Sequence, residues 1–435
     1  MASIDILTLK EQRKIKIDAM LQKHDTVWVL KCNYPGNQKL NAYTFFVFFT
    51  ILKEMRTDLW RHMDMSFTVE GPVAIMWGNV DPVIIKKSMI MLEEDHPLGR
   101  YVDIDVIDAY GYLKRTAFDR PFRTCFVCDE IAHVCVRNQT HDIKVIQDHF
   151  VQGVLSYIDT PSKMVTFCAM AELATHPGFG KVTPMSTGIH QDMDVRTFID
   201  SIYAISPMFD QIEQFDCDQE SDMYFNQLRQ LGLAIENQMF LTTGGINTHK
   251  GFIFLMLMVL GAAHYRPYDP LQETIRTLAK PLTMDFQDTT MSTTGLRWYR
   301  SHQIAGIRGL ALDGLDIVFD EFLPYFIQTL ESEADINDAF VSTLLLIMSR
   351  IEDTTILKRQ GLDGLAWLQK QAKKALQDKS QWKALDKACH KQGFSPGGSA
   401  DVLAVVVLLA CFFYDSKEGF YGHQQTFPGR DVRKQ

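Results

Sequence analysis

The chain has 435 residues, a formal net charge of −9, 46% hydrophobic residues and 22% charged residues. That length exceeds the ~250–300 residues at which a single core stops growing, so two or more domains are expected, and the composition excludes a disordered or fibrous chain. A mildly acidic balance leaves no footprint for nucleic acid. Anionic substrates must therefore be held locally, by metal ions, helix N-termini or a few Lys and Arg.

In chain order, Met1 to Asp5 leads into the charged Glu11-Gln12-Arg13-Lys14 without the apolar core or small-residue cleavage site of a signal peptide. With eight sparse cysteines, a cytoplasmic location with reduced thiols is expected. Thr26 to Leu30 reads as a strand running into the turn Asn33-Tyr34-Pro35-Gly36. Ala42 to Leu59 has helical spacing. Ser66 to Val69 and Pro72 to Trp77 read as strands around a Glu70-Gly71 turn. Tyr101 to Ile107 alternates: Val102, Ile104 and Val106 share one face, Asp103 and Asp105 the other. The pattern changes at Asp159-Thr160-Pro161-Ser162. Beyond it helical spacing dominates, in Met223 to Phe240, Gly251 to His264, Leu315 to Leu330, Asp338 to Ile351 and Ala400 to Phe413. The apolar runs Phe252 to Ala263 and Val402 to Tyr414 fall short of the ~20 residues a membrane span needs and read as buried core helices. The expected architecture is an α/β domain over residues 1–160, with a nucleotidyltransferase-like mixed sheet, followed by an all-α domain over residues 161–435.

Several clusters carry chemistry. Two carboxylates side by side on a strand, Asp103 and Asp105, repel unless a cation joins them, and Mg²⁺ shared with phosphates suits such hard oxygens; a solvated strand face fits the same spacing. Cys125-x-x-Cys128, with Cys135, His141 and the competing His133, has some zinc-ligand spacing. Its irregular second half reads instead as a helix over Cys128 to Cys135 with partly buried thiols. Gly244 to Gly251 precedes an apolar helix, so free N–H groups, the helix dipole and Lys250 form an anion site, with Asn247 or Thr248 as cap. Gly188 to Asp194 holds a second Asp-x-Asp beside His190, Asp353-Thr354-Thr355 opens a further element, and Ser395 to Asp401 is a Gly-rich turn. Each also reads as a cap or turn. Together they suit a metal-triphosphate pocket among helix starts.

Asn33-x-Pro35-Gly36-x-x-Lys39, the run Glu93 to Val106 containing Arg100, and Arg123-x-Cys125-x-x-Cys128 through Ala132, Cys135, Arg137 and His141 resemble the apo-citrate lyase phosphoribosyl-dephospho-coenzyme A transferase family. The resemblance covers most of residues 10 to 150. It implies transfer of the prosthetic group to a serine of the acyl carrier (gamma) subunit of citrate lyase, with release of pyrophosphate. Asp103 and Asp105 would hold Mg²⁺ and act as the catalytic carboxylates. Arg100 and Lys39 would add positive charge, Asn33 and Gly36 would let donors approach the phosphates, and Asp108 or His141 would be the base.

His176-Pro177-Gly178, Ser186-x-Gly188-x-His190-x-Asp192-Met193-Asp194, Gly244 to Gly251, Gly306-Ile307-Arg308-Gly309, Asp353-Thr354 and Ser395 to Asp401 resemble the triphosphoribosyl-dephospho-coenzyme A synthase family. They span residues 170 to 405. The implied reaction joins ATP and 3'-dephospho-coenzyme A through an oxocarbenium-like state and expels adenine. Asp192, Asp194, Asp353 and Asp401 would hold Mg²⁺-triphosphate. Gly244, Gly245, Asn247, Thr248, Lys250, Arg308, Gly397, Gly398 and Ser399 would contact phosphates, and His190 and His249 would move protons. The chain departs from the family pattern at His176, at Leu310 (where the family usually has Glu) and at Thr355. Leu310 motivates an alternative, a helical domain that only binds dephospho-coenzyme A or the carrier protein; a second alternative is the malonate decarboxylase system, which shares the prosthetic group. Neither a nucleic acid nor a membrane is expected as partner.

Overall fold

Val27 to Leu30 have no exposed face, so their strand must be covered on both sides. In the computed structural model, which describes residues 6–55, 62–287, 294–333, 335–415 and 419–420, they lie in the first of two compact units, Met1–Tyr157 and Ile158–Gln435. The first unit runs α1 (Ile6–Leu21), β1 (Thr26–Cys32), α2 (Ala42–Glu54), β2 (His62–Thr68), β3 (Gly71–Gly78), α3 (Pro82–Asp95), β4 (Val102–Asp108), β5 (Gly111–Tyr112), α4 (Ala132–Asn138) and α5 (Ile143–Tyr157). Met1 to Asp5 and the far end of the helix expected to reach Leu59 lie outside the described residues. Within them, α2 stops at Glu54, where Met55 turns extended.

The strands order as β2-β3-β1-β4-β5, with every neighbouring pair antiparallel. This corrects the expected mixed sheet. β3 and β4 run in the same direction and are joined by α3, but β1 lies between them, so no parallel ladder forms. Alternation sorts the two faces. Ile17 of α1 packs with Val27, Val29, Val73, Ile75 and Ile107 on one face. On the other, Cys32 Sγ meets the Thr44 carbonyl of α2 at 3.3 Å. α2 itself is buried from Ala42 through Phe49, because α5 closes its far side.

The second unit comprises α6 (Pro161–Ala174), α7 (Val195–Ile205), α8 (Ser221–Thr243), α9 (Lys250–Tyr265), α10 (Leu271–Ala279), α11 (Leu282–Gln287), α12 (Thr294–His302), α13 (Gly306–Leu312), α14 (Leu323–Ser332), α15 (Ile336–Met348), α16 (Thr354–Gln377), α17 (Trp382–Gln392) and α18 (Gly397–Phe412). Thr160 caps α6 and Pro161 occupies its first turn, where a missing N–H costs nothing. A helix apolar on every side belongs in a core. α18 fits that rule: α6, α9, α14 and α15 surround it and bury Val402 to Ala410. The helix expected from Leu315 is split into a π-helical turn, Val318–Phe322, and α14. Two short strands, β6 (Tyr414–Asp415) and β7 (Gly419–Phe420), pair at the end of the unit, a small departure from the all-helical expectation. No helix among the described residues is long and apolar enough to cross a membrane.

Candidate functional site

In the first unit, the β1–β4 register sets Lys31 opposite Asp103 and Val29 opposite Asp105. The carboxylates share a face, and Lys31 Nζ sits between them, 3.0 Å from Asp103 Oδ2 and 3.1 Å from Asp105 Oδ2. Burial pulls the Lys31 amine down, but the two carboxylates outweigh it and its pKa ends above the ordinary lysine value. Beneath the pair, Ile104 N–H donates to Glu93 Oε1 at 2.9 Å, and its carbonyl accepts from Lys86 Nζ at 3.0 Å. Glu93 also pairs with Arg123 at 2.5 Å. Burial, helped by the charges of Lys10 and Lys31, lowers the Lys39 amine. The face therefore combines two acids with several cations, an arrangement suited to a polyanion bound with its counter-ion.

The other residues anticipated in this unit make the following contacts. Asn33 Nδ2 donates to the Val102 carbonyl at 2.9 Å, pinning the start of β4 to the end of β1. Gly36 has φ of +100°, a conformation that favours glycine. Arg100 donates to the Cys125 carbonyl at 3.2 Å, with its guanidinium 5.1 Å from the Phe126 ring centre. Asp108 accepts from Tyr110 and Gly111 N–H and shapes the β4–β5 turn. His141 faces Cys128, at 3.2 Å from Nε2 to Sγ. The helix expected over Cys128 to Cys135 is corrected: α4 begins only at Ala132, after a ribbon closed by the Thr124–Ile131 bridge.

In the second unit, helix starts interlock. A Cβ placed on Gly251, in the first turn of α9, would lie 2.0 Å from Asp401 Oδ2 of α18 and 3.4 Å from Ile307 of α13. One on Gly398 would lie 3.0 Å from Asp353 Oδ1, and one on Gly306 would lie 2.8 Å from Thr354. Glycines at these positions let four elements close on a pair of acids. Asp353 caps α16, accepting from Thr355 N–H at 2.8 Å, and also takes Ser399 N–H at 2.8 Å and Ser399 Oγ at 3.0 Å. Asp401 keeps some solvent access although protein atoms surround it on most sides. That burial, with Glu172 and Asp353 nearby, pushes its carboxyl well above the usual range. Lys181 is buried beside Glu172 at 3.0 Å, and burial lowers its amine.

The remaining anticipated residues scatter around this centre. His190 Nε2 lies 3.1 Å from Ser395 Oγ; burial and Arg359 lower its pKa. Asp192 is exposed. Asp194 is the N-cap of α7, accepting from Thr197 N–H at 3.0 Å, and those bonds lower its carboxyl. Asp192, Asp194, Asp353 and Asp401 do not form one ready chelate: among the described residues only Cys125, Cys128, Cys135 and His141 gather with ligand atoms all within 4.8 Å. Gly244 and Gly245, at φ of +66° and +91°, terminate α8 with N–H groups directed to the Phe240 carbonyl. The cap of α9 falls on His249, whose side chain makes no capping bond, rather than on Asn247 or Thr248; Asn247 Oδ1 accepts Lys250 N–H at 3.1 Å from outside the helix. Thr248 instead meets Ser201 Oγ at 2.8 Å. Lys250 pairs with Glu236 at 2.6 Å, and Arg308 lies 3.7 Å from Asp285. His249 is fully buried, with Nδ1 2.9 Å from Ser201 Oγ and burial driving its pKa down to about 3. Gly397 and Gly398 open α18.

Sequence reasoning missed Lys31, Glu172 and Lys181. Lys31 follows the buried run Val27 to Leu30, and Glu172 is the lone charged residue of the segment Met164 to Ala174. A charge set inside an apolar run was the available signal.

The family model for ATP:dephospho-CoA triphosphoribosyl transferase matches residues 158–418, well over half the chain. The chain belongs to this family. A second model, for apo-citrate lyase phosphoribosyl-dephospho-CoA transferase, matches residues 2–156, so one polypeptide carries both family domains. The chain is similar to Protein CitXG of Haemophilus influenzae, 29% identical across 94% of this chain and 95% of that protein. It is likewise similar to Protein CitXG of Leuconostoc mesenteroides subsp. cremoris, at 28% across 88% and 90%. The 2-(5''-triphosphoribosyl)-3'-dephosphocoenzyme-A synthase of Pectobacterium atrosepticum is 32% identical over 58% of this chain and 89% of its own length. Both motif-based resemblances hold, and the chain is a transferase of citrate lyase prosthetic-group synthesis and attachment.

Proposed function

We propose that the helical unit makes 2'-(5''-triphosphoribosyl)-3'-dephospho-coenzyme A from ATP and 3'-dephospho-coenzyme A, and that the first unit transfers phosphoribosyl-dephospho-coenzyme A to a serine of the citrate lyase acyl carrier subunit. The observation that carries this reading is the side-by-side match of both enzyme families to one chain. The domains are taken as residues 1–160 and 161–435, the first of nucleotidyltransferase type because its Asp-x-Asp pair lies on one strand face.

The interlocked starts of α9, α16 and α18 support triphosphate binding near Asp353 and Asp401, where Lys250 would exchange its Glu236 partner for the anion. Asp401, buried with Glu172 and Asp353 close by and its carboxyl raised by that burial and those charges, would gain a counter-charge from Mg²⁺. When bound, Mg²⁺ neutralises triphosphate and departing pyrophosphate. Asp401 and Asp353 would hold it in the second unit, and Asp103 and Asp105 in the first, while Asp194 caps α7. The 2'-hydroxyl of dephospho-coenzyme A attacks the anomeric carbon as adenine leaves. Glu172 and Asp401 stabilise the positive sugar, and His190 is positioned for proton transfer. In the first unit Lys31, Lys39 and Lys86 offset negative charge as the carrier serine attacks phosphorus. Eight free cysteines support a reducing, cytoplasmic setting.

A single incubation of chain, ATP, Mg²⁺, dephospho-coenzyme A and apo-carrier tests the scheme by intact mass and adenine release. Asp103→Ala should release adenine normally but lower carrier loading at least tenfold, so the soluble intermediate accumulates. Asp401→Asn should abolish adenine release. Wild-type loading by Asp103→Ala, or undiminished adenine from Asp401→Asn, overturns the respective site. Presenting the malonate decarboxylase carrier in the same tube tests acceptor choice, and preferential loading of the citrate lyase carrier is expected.

A further inference from the structure

Apart from the acidic pair of the first unit, a segment of that unit has almost no apolar core of its own. Across residues 111–142, Cys125 and Cys135 are the only buried residues. The stretch contains one two-residue strand, one turn of 3₁₀ helix, Arg115–Phe118, and the seven-residue α4. Buried apolar surface thus contributes little to holding this stretch; a disulfide or a metal is the usual supplement in such loop-rich structure, and all eight cysteines are free.

The four potential ligands come from three local devices. Cys125 and Cys128 lie on the ribbon closed by the Thr124–Ile131 bridge, where Cys125 N–H donates to the Glu130 carbonyl at 2.7 Å. Val127 N–H points at Cys125 Sγ from 3.5 Å, a donation that steadies a thiolate. Cys135 is the buried residue of α4. Gln139, left-handed at φ of +50°, ends that helix, and Thr140 N–H returns to the Cys135 carbonyl at 3.1 Å, so the chain delivers His141 back to the thiols. Each side chain offers one ligand atom, and these atoms all lie within 4.8 Å of one another. His141 Nε2 is already 3.2 Å from Cys128 Sγ. Around a tetrahedral ion with metal–sulfur bonds of ~2.3 Å and metal–nitrogen bonds of ~2.0 Å, such atoms stand roughly 3.5–3.8 Å apart, so little closure is required.

We propose that Cys125, Cys128, Cys135 and His141 bind one structural Zn²⁺ ion. Three thiolates and an imidazole fill a closed tetrahedron and leave no position for a reacting water, so the ion acts as a staple and takes no chemical step. An iron–sulfur cluster ordinarily takes four thiolates, and hard cations take oxygens, which leaves zinc as the match for this donor set. The staple sits beside the acidic site: Arg100 holds the Cys125 carbonyl, and Arg123 donates to the Val102 carbonyl at 2.6 Å while pairing with Glu93. The ion thereby fixes the wall flanking Asp103.

Elemental analysis of the full chain, purified without chelator, tests the assignment. One zinc per chain is expected, and Cys128→Ser with Cys135→Ser should bring it below about a fifth, while Cys411→Ser keeps it whole. Titration of the wild-type chain with a mercurial, followed with a zinc-sensitive dye, should release zinc in step with modification of three thiols. It needs no variant to fold. Adenine release by the double variant should remain normal, reporting an intact helical unit. Absence of zinc, iron in its place, or zinc that survives loss of both cysteines overturns the proposal.

Discussion

At the residue scale, His249 shows how burial can override a motif. It sits in an Asn-Thr-His-Lys-Gly context that invites an acid–base role, yet Phe198 and Phe252 meet its ring edge-on and its Nε2 has no hydrogen-bond partner. A proton there would be a dry, unpaired charge. Folding therefore keeps the ring neutral, with a pKa of about 3 against 6.5 in the unfolded chain. A depressed folded value means that stability is complete above pH 6.5 and drains away as pH falls towards 3. About 2 kcal/mol should be lost from the helical unit by pH 5 relative to pH 8. Denaturant unfolding at the two pH values checks this, and His249→Gln should flatten that part of the pH dependence. Equal pH dependence in both proteins would remove His249 as the cause.

At the element scale, the acids were legible as helix starts, but their distribution of labour was not. Asp194 and Asp353 both follow the sequence pattern of an N-cap. Asp194 serves its own helix alone. Asp353 serves two, because α18 comes back across it and presents Ser399 N–H and Oγ. Asp353→Ala should thus lose a cap and strand two buried donors, costing about 2–4 kcal/mol, while Asp194→Ala should cost about 1 kcal/mol. Chemical denaturation of the two variants measures the difference; equal losses would show that the bond to Ser399 contributes nothing. The same reasoning explains the sheet. Tyr101 to Ile107 announced its alternation, but not that β1 would divide β3 from β4 and bring Lys31 between the two acids.

At the scale of the whole molecule, two units with separate cores need not unfold together. Calorimetry should resolve two transitions. Asp353→Ala should lower one of them, and removal of zinc by chelator the other. A single transition displaced by both treatments would show that the units are coupled.

The sequence by itself determined the class of each half, the family of each half and the positions of helices α2, α8, α9, α15 and α18. Periodicity is local, and ordered motifs need no folded context. It also placed Asp103 beside Asp105, since a strand's period of two allows nothing else. Tertiary structure decided what the charged groups face. Lys31 stands 72 positions before Asp103 in the chain, and Glu172 lies far from Asp401, so only strand register and helix packing could make them neighbours. It also decided the cysteines. Their spacing fits a helix as readily as a ligand set, and only the ribbon ahead of α4 and the returning turn at Gln139 bring Cys125, Cys128, Cys135 and His141 to one point.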